Sequence, residues 1–224
     1  MKRAIVIVAG GSGKRMGTDI PKQFLIVGGK PVLASTIERF HTYDAQMQIV
    51  LVLPENQITY WQTLCAEYQF NIKHTIAKGG ETRFHSVKNG LAAVVDAEVV
   101  GVHDGVRPLV SVATVERCFD CAAKYGTAVP VMPAVESVRF IDADGSSHAV
   151  NRAQIRMVQT PQVFQYDILM NSYNQPYTDL FTDDASVVET AGHAITLIEG
   201  NKENIKLTTP DDLVYAKMLM AKEK

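Results

Sequence analysis

Short runs of aliphatic and β-branched residues alternate along the chain with longer segments in which apolar positions recur every three or four residues. Runs of the first kind predict buried strands, and segments of the second kind predict amphipathic helices. The predicted strands are residues 4–9, 48–53, 72–77, 99–103, 128–132 and 195–198. The predicted helices are residues 32–40, 58–68, 82–95, 112–124, 183–191 and 210–221. This alternation predicts an α/β protein with a mostly parallel sheet flanked by helices.

One segment departs from the alternation. Residues 135–142 and 149–158 form two extended stretches around Asp144-Gly145, a pair suited to the positive φ angles of a tight hairpin turn. We therefore expect an antiparallel β-hairpin arm, at about residues 135–158, to project from a Rossmann-like body. Since the chain contains no linker, repeat or low-complexity tract, residues 1–224 are expected to form a single domain.

Charge and composition narrow the possible partners. Lys and Arg number 22 and Asp and Glu number 24, for a net charge of −2, so no overall positive field attracts nucleic acid or an anionic membrane. The apolar run that begins at Ala4 ends at Gly10, which is too short for a signal peptide or a membrane span. Three cysteines, an odd number, suit a reducing compartment. We therefore predict a cytoplasmic protein without nucleic-acid or membrane partners.

A glycine-rich segment with cations follows the first predicted strand. It consists of A-G-G-S-G-K-R-M at residues 9–16 and P-K-Q-F at residues 21–24. In open parallel sheets, ligands bind beyond the carboxyl ends of the strands, where a glycine loop can turn backbone N–H groups toward an anion. Lys14, Arg15 and Lys22 add enough positive charge to offset much of a triphosphate. The segment is thus a candidate phosphate-binding loop.

Two common forms of phosphate loop do not match this segment. The Walker A motif would need glycine where Val8 stands and a hydroxyl where Arg15 stands. The dinucleotide fingerprint would need a third glycine at Met16. A nicotinamide cofactor is therefore not expected.

The order of motifs along the whole chain identifies a resemblance. The glycine loop and P-K-Q are followed by G-G-E-T-R-F-H-S-V at 79–87, H-D-G-V-R-P at 103–108, V-N-R at 150–152, T-P-Q at 160–162, T-D-D-A-S at 182–186 and N-I-K-L-T at 204–208. Together they resemble the family of 2-C-methyl-D-erythritol 4-phosphate cytidylyltransferases of the non-mevalonate isoprenoid pathway. Each motif alone is weak, but six in order are specific.

The resemblance implies a reaction and its catalytic residues. The phosphate of 2-C-methyl-D-erythritol 4-phosphate attacks the α-phosphorus of CTP directly, which gives a CDP-linked alcohol and pyrophosphate, with Mg²⁺ as cofactor. Lys22 is implied at the α-phosphate, with Lys206 as its partner, and Arg15 at the β- and γ-phosphates. Such a reaction needs positioned cations rather than a covalent intermediate.

The resemblance also implies the nucleotide site. Its residues are Ala9, Gly10, Gly11, Gly13, Gly80, Glu81, Ser86, Asp104 and Gly105. Glu81 stands where many members of the family carry Asp, and Gly105 stands where Ala is common. Asp104 is expected to hold either Mg²⁺ or the ribose, and both alternatives stay open. Because a phosphate monoester is already ionised near neutral pH, no general base is needed, and His103 is expected to be structural.

The acceptor site implied by the resemblance includes residues from two subunits. Thr182 and Lys206 come from one subunit, while Ser137 and Arg152 of the hairpin arm reach the polyol phosphate in the partner subunit of a homodimer. Ser137 stands where family members usually have Thr, which keeps the hydroxyl. From the sequence alone, Arg152 is an ordinary exposed charge.

Two other functions fit parts of the sequence. Ribitol 5-phosphate cytidylyltransferases share the glycine loop, P-K-Q-F and H-D-x-x-R-P, although residues 83–87 and 182–186 favour the methylerythritol family. A nucleotide-binding regulatory domain would bind without turnover, and the presence of both Lys22 and Lys206 argues against it.

Overall fold

The computed structural model describes residues 1–10 and 20–222. Its strands are β1 (Arg3–Val8), β2 (Ile26–Val27), β3 (Lys30–Pro31), β4 (Gln48–Leu53), β5 (Thr75–Lys78), β6 (Val99–Asp104), β7 (Thr127–Pro133), β8 (Val138–Ile141), β9 (Ser147–Val150), β10 (Arg156–Val158), β11 (Gln162–Gln165) and β12 (Leu197–Glu199). Its helices are α1 (Val32–Tyr43), α2 (Glu55–Glu67), α3 (Arg83–Leu91), α4 (Val112–Tyr125), α5 (Tyr166–Ser172), α6 (Asp184–Thr190) and α7 (Pro210–Lys222). None of the helices in these ranges is both long enough and apolar enough to cross a membrane.

The main sheet has the order β5-β4-β1-β6-β11-β7, and both β10 and β12 also pair with β7. The pairs β5–β4, β4–β1, β1–β6 and β12–β7 are parallel, whereas β11 runs antiparallel between β6 and β7. The predicted α/β class and the mostly parallel sheet are therefore confirmed.

Helices cover both faces of this sheet, as the period-two pattern of its strands requires. On β1, Ile5 and Ile7 pack in a cluster with residues of α1, α2 and α4. Ala4 and Val6, which alternate with them, pack in a second cluster with residues of α3, α5 and α6. All four side chains are fully buried, so residues 4–7 of this strand are apolar on both of its faces.

The antiparallel segment is shorter than the sequence predicted. β8 and β9 form a hairpin in which Val138–Ile141 pairs with Ser147–Val150. Gly145 has a φ of +85°, but Asp144 does not share the positive φ that the sequence analysis expected for the pair. The second predicted stretch is wrong beyond β9, because β10 leaves the hairpin and pairs antiparallel with β7.

β11 and α5 were not predicted. β11 has four residues, too few to show a clear period, and it follows Pro161. Gln162 in this strand is fully buried. Its side chain donates to the Asp183 carboxylate at 2.8 Å and accepts from the backbone N–H of Ala185 at 2.7 Å, so its polar groups are satisfied.

Candidate active site

The carboxyl ends of β1, β5 and β6 meet at one edge of the sheet, around a cavity of about 320 Å³. β1 pairs with β4 on one side and with β6 on the other, so the edge next to it is the point where the strand order reverses. Open α/β sheets bind ligands at such a point. The residues that line the cavity are Val8, Ala9, Gly10, Lys22, Gln23, Gly80, Glu81, Thr82, Arg83, Ser86, Asp104, Val106 and Lys206.

One wall of this cavity is the turn between β5 and α3. Ser86 Oγ accepts a hydrogen bond from the Gly80 backbone N–H at 3.0 Å and so fixes the turn from inside the helix. A Cβ at Gly80 would lie 2.5 Å from the Cβ of His85, which only glycine avoids. The predicted residues Gly80 and Ser86 are therefore together, and the exposed Glu81 lies beside them.

A second wall is formed by Ala9 and Gly10, which follow β1. The backbone N–H of Ala9 continues the sheet by bonding to the Val52 carbonyl at 3.0 Å. The buried Gln23 donates from Nε2 to the Ala9 carbonyl at 2.9 Å and to Gln57 at 2.7 Å. Gln23 belongs to the motif P-K-Q-F, but only the structure shows that its side chain holds the Ala9 carbonyl.

Lys22 lies in a 3-10 turn, Lys22–Phe24, that follows Pro21. It borders the cavity and is half-buried. Burial alone would raise the pKa of Asp212, but hydrogen bonds from Thr209 and Thr208 lower it below its usual value. The positive charge of Lys22 makes a smaller contribution in the same direction as these hydrogen bonds. The predicted residues Gly11, Gly13 and Arg15 lie outside the described residues.

Asp104, the last residue of β6, is surrounded by cations. Its Oδ2 lies 3.0 Å from Arg107 Nε and 3.2 Å from Lys206 Nζ, and its Oδ1 lies 3.9 Å from Arg83 Nε. Burial alone would raise the pKa of Asp104, but the charges of Arg83, Lys206 and Arg107 outweigh burial and hold the pKa well below its usual range. The carboxylate is therefore ionised wherever the protein is folded near neutral pH.

A second cavity, of about 310 Å³, adjoins the first on the side of β11. Arg83, Asp104 and Lys206 line both cavities. Thr182, predicted at the acceptor phosphate, lines only the second. The two cavities thus meet at one carboxylate and two cations.

The surroundings of Asp104 leave both expected roles, holding Mg²⁺ or the ribose, available to it. One carboxylate oxygen already receives two cationic groups, and a guanidinium faces the other. Among residues 1–10 and 20–222, no three His, Cys, Asp or Glu side chains are grouped so that they could hold a metal. A carboxylate in this place can accept hydrogen bonds from ribose hydroxyls, and a single carboxylate is also sufficient for Mg²⁺ that is bound to phosphate oxygens and waters.

Gly105 follows Asp104 at the junction of β1 and β6. Its backbone N–H donates to the Val8 carbonyl at 2.9 Å. A Cβ at this position would lie 2.8 Å from the Cβ of Ala9 and 3.1 Å from Leu33 Cδ1. Because Gly105 has no side chain, the segment after β6 can lie close to Ala9 in the segment after β1.

Ser137 and Arg152 are placed differently from the other predicted site residues. Both are exposed, and Arg152 Nη1 donates to the Val135 carbonyl at the base of the hairpin at 2.7 Å. Neither residue is among those that line the two cavities within the described part of the chain. The structure therefore does not bring them to the site of their own subunit.

Comparison with known proteins assigns the chain to a family. The family model described as IspD, 2-C-methyl-D-erythritol 4-phosphate cytidylyltransferase, matches residues 3–222. The chain belongs to the IspD family. Its members are nucleotidyltransferase enzymes, so the resemblance seen in the ordered motifs is confirmed.

Relatives and a solved structure agree with this assignment. The chain is 56% identical over 220 residues to the 2-C-methyl-D-erythritol 4-phosphate cytidylyltransferase of Phocaeicola vulgatus and 53% identical over 220 residues to that of Bacteroides thetaiotaomicron. In both cases the alignment covers 98% of this chain and 100% of the relative. The crystal structure of 4-diphosphocytidyl-2C-methyl-D-erythritol synthase from Anaerococcus prevotii matches with a TM-score of 0.83 and 25% identity, covering 98% of this chain and 96% of that one.

Proposed function

We propose that this IspD-family protein transfers the cytidylyl group of CTP to 2-C-methyl-D-erythritol 4-phosphate. The products are 4-diphosphocytidyl-2-C-methyl-D-erythritol and pyrophosphate, as in the non-mevalonate isoprenoid pathway. The observation that carries the proposal is the meeting of two cavities at Lys206, Asp104 and Arg83. One cavity suits the nucleotide and the other suits the acceptor phosphate, so the two reacting phosphates come together at this boundary.

The chemistry needs little beyond positioning and positive charge. An oxygen of the acceptor phosphate forms a bond to the α-phosphorus of CTP, and the bond from that phosphorus to the oxygen bridging to the β-phosphorus breaks. Because the acceptor is already ionised, no proton has to be removed. Lys22 on the nucleotide side and Lys206 at the boundary stabilise the negative charge of the transition state, with Arg15 at the leaving phosphates.

Cytosine is recognised by the wall that includes Gly80 and Ser86. Backbone carbonyl groups accept from the cytosine amino group, and N–H or hydroxyl groups donate to its ring oxygen and nitrogen. The glycine at residue 80 lets the base approach the turn closely, and the hydrogen bond from its N–H to Ser86 holds the turn in one conformation. The exposed Glu81 contributes through its backbone in this proposal.

Mg²⁺ belongs to the proposal as a cofactor that arrives with CTP. Mg²⁺ keeps several waters and binds readily to phosphate oxygens, so the triphosphate itself supplies suitable ligands. When bound there, the ion neutralises charge on the departing pyrophosphate. In this arrangement Asp104 holds the cationic side chains, or the ribose, rather than the metal.

A homodimer that exchanges hairpin arms is the second part of the proposal. Val135, Phe140, Ile141, Met157 and Val158 are exposed on the arm or next to it, with Val135 at 75% and Ile141 at 64% relative exposure. An isolated two-stranded hairpin is marginally stable in water and gains from packing on a partner. In a symmetric dimer, Ser137 and Arg152 would serve the acceptor phosphate in the partner's site.

The cytoplasm is the compartment that we infer. The three cysteines of the sequence suit a reducing environment. None of these cysteines takes part in the proposed catalytic mechanism.

The two alternatives have less support. The family match and the names of the relatives favour methylerythritol phosphate over ribitol 5-phosphate as acceptor. A regulatory domain would need only the nucleotide cavity, whereas this chain also has the second cavity with Lys206 at its border.

A pyrophosphate-release assay tests the proposal. Purified protein with CTP and Mg²⁺ is offered either 2-C-methyl-D-erythritol 4-phosphate or ribitol 5-phosphate. We expect release with the first acceptor, little release with the second, and loss of activity in excess chelator. Turnover with ribitol 5-phosphate alone would support the other enzyme, and CTP binding without turnover with either acceptor would support the regulatory alternative.

A further inference from the structure

Arg83 is held by a buried acid, Asp184, to which the sequence motifs gave no role. Its Nη1 and Nη2 donate to Oδ1 and Oδ2 of Asp184 at 3.0 and 2.6 Å, a bidentate pair. The Tyr173 hydroxyl donates to the same Asp184 Oδ1 at 2.6 Å. The Asp184 side chain is fully buried, whereas 29% of the Arg83 side chain is exposed. Asp184 is therefore the buried partner of the pair, and Arg83 is the partner that is exposed at the cavities.

The open end of Arg83 faces the reacting centre. Arg83 lines both cavities, and its Nε lies 3.9 Å from Asp104 Oδ1. Burial alone would lower the pKa of Arg83, but the charge of Asp184 and the hydrogen bonds to it outweigh burial and raise the pKa. Arg83 is thus a permanent cation whose direction is set by Asp184.

The ion pair also ties together the two walls that carry the proposed substrate contacts. Arg83 begins α3, directly after the turn with Gly80, whereas Asp184 begins α6, two residues after Thr182. The Thr182 backbone N–H donates to Ser186 Oγ at 3.1 Å, so Thr182 moves with the first turn of α6. A shift of Asp184 relative to Arg83 would therefore change the distance between the nucleotide wall and the acceptor wall.

An aromatic stack reinforces the same junction. The ring of Phe84 is stacked with that of Tyr173, with centroids 4.7 Å apart, and with that of Phe181, with centroids 5.4 Å apart. Tyr173 and Phe181 both belong to the segment that leads from α5 to α6, while Phe84 follows Arg83 in α3. An ion pair and an aromatic stack thus both join α3 to the segment between α5 and α6, and the stacked rings favour one arrangement of the two.

We propose that Arg83, held by Asp184 and Tyr173, is a positioning residue that fixes the separation of the nucleotide and acceptor sites. This inference rests on the proposed cytidylyltransferase function and adds a group that the ordered motifs did not assign. Direct attack on phosphorus depends on the alignment of two bound substrates, so a small displacement between the walls lowers kcat strongly. Binding of CTP alone needs only one wall and is expected to change little.

Two substitutions that leave the cavity linings intact test the inference. Asp184→Asn keeps the shape of the side chain but removes its charge and one acceptor, and Tyr173→Phe removes only the hydroxyl. We expect kcat to fall by about 10- to 100-fold for Asp184→Asn and about fivefold for Tyr173→Phe, with a raised KM for the acceptor. The Kd for CTP, measured by calorimetry without acceptor, should stay within about threefold of the wild-type value.

A matched control separates positioning from general stability. Arg3 and Asp44 form another Arg–Asp pair, with Arg3 Nη1 3.1 Å from Asp44 Oδ2, at the amino end of β1 and far along the strand from the site. Asp44→Asn should lower Tm but leave kcat and both KM values unchanged. A purely structural role for Asp184 would give the same result as this control.

Each outcome of the experiment bears on the inference. Values of kcat and acceptor KM within twofold of wild type for folded Asp184→Asn would overturn it, as would a loss of CTP affinity equal to the loss of kcat. If Asp184→Asn does not fold, Tyr173→Phe decides in the same way, since an unchanged kcat overturns the inference. Failure of the wild-type protein to turn over would instead reject the proposed function.

Discussion

The imidazole of His103 is held in one neutral form by Thr160. His103 Nε2 lies 3.1 Å from the Arg107 carbonyl, which can only accept, so in the neutral ring Nε2 carries the proton and donates. Nδ1 is then the acceptor and receives the Thr160 hydroxyl proton across 2.9 Å, while Thr160 Oγ1 accepts from the Asp104 backbone N–H at 3.1 Å. The side chain thus joins β6 to the turn behind Asp104, and the expected structural role of His103 agrees with this geometry.

Protonation of His103 should destabilise the fold. Burial lowers the pKa of this histidine from 6.5 to about 4. Between pH 6.5 and 4 the unfolded chain binds a proton at this histidine that the folded protein does not bind. The contribution of neutral His103 to the free energy of unfolding is therefore complete above pH 6.5 and is lost as the pH falls toward 4. The loss amounts to about 3 kcal/mol, since one pKa unit corresponds to about 1.4 kcal/mol. Urea unfolding at a series of pH values measures it.

The control for this prediction is a histidine at the surface. His103→Gln removes the titrating group and should flatten the fall in unfolding free energy between pH 6.5 and 4. His148→Gln, on the exposed hairpin, should leave most of that fall in place. An equal pH slope in wild type and His103→Gln would contradict the assignment.

Removal of the Lys22 ammonium should lower kcat much more than CTP affinity. In the proposed mechanism this group stabilises charge that develops only in the transition state, and loss of one such preorganised donor costs about 10²- to 10³-fold in kcat. We therefore expect a decrease of this size for Lys22→Ala in steady-state assays. Lys73→Ala, an exposed lysine before the amino end of β5, is the control and should be silent. A Lys22→Ala enzyme within threefold of wild type would show that this lysine is an ordinary surface charge.

A methyl group added at Gly105 should disturb the nucleotide site. It would lie 2.8 Å from the Ala9 Cβ, which cannot rotate away, so the two strand ends must separate. Overpacking of this kind costs about 1–3 kcal/mol, and we expect Gly105→Ala to lower the unfolding free energy by that amount and to weaken CTP binding.

A neighbouring glycine supplies the comparison. At Gly79 the nearest atoms to an added Cβ are 3.5 Å away, an ordinary contact, so Gly79→Ala should change stability much less than Gly105→Ala. Chemical denaturation and calorimetric titration with CTP measure both effects. Unchanged stability and affinity in Gly105→Ala would contradict the prediction and would mean that β1 and β6 adjust without cost.

Mixing of two inactive variants tests the proposed exchange of arms. Arg152→Ala should impair use of the acceptor while leaving CTP binding nearly intact, and Arg152→Lys should also be poor because an ammonium lacks the bidentate fork of a guanidinium. If Arg152 acts in the partner's site, Lys22→Ala and Arg152→Ala subunits that pair at random should regain about a quarter of wild-type activity. Light scattering checks that the protein is a dimer, and mass spectrometry of labelled subunits checks exchange. Exchange without recovery would refute a shared site.

The periodicity of the sequence was sufficient to predict the body of the sheet. The strands at residues 48–53 and 99–103 lie where predicted, the second extended by one residue, because each contains a run of apolar residues that has to be covered on both faces. The family resemblance implied that Gly10 and Asp104 share the nucleotide site, and both line the cavity at the carboxyl ends of β1 and β6. The family could be recognised because its motifs occupy those ends in a fixed order.

Other features depended on tertiary structure. The motifs that contain Asp184 and Gln162 do not predict that these polar side chains are buried, yet both are fully buried because partners distant in the chain satisfy them. Asp184 pairs with Arg83 across 101 residues, and the antiparallel β11, inserted between β6 and β7, positions Gln162 against α6.

The sequence by itself determined most of the strands and helices of the body and which residue types stand at the strand ends. Local propensity and periodicity decide these features, because they depend on neighbours within a few residues. Only the tertiary structure decided that Arg83 joins the two cavities and that β10 leaves the hairpin for β7. Both depend on strand order and on the pairing of buried polar groups, which link residues that are distant along the chain.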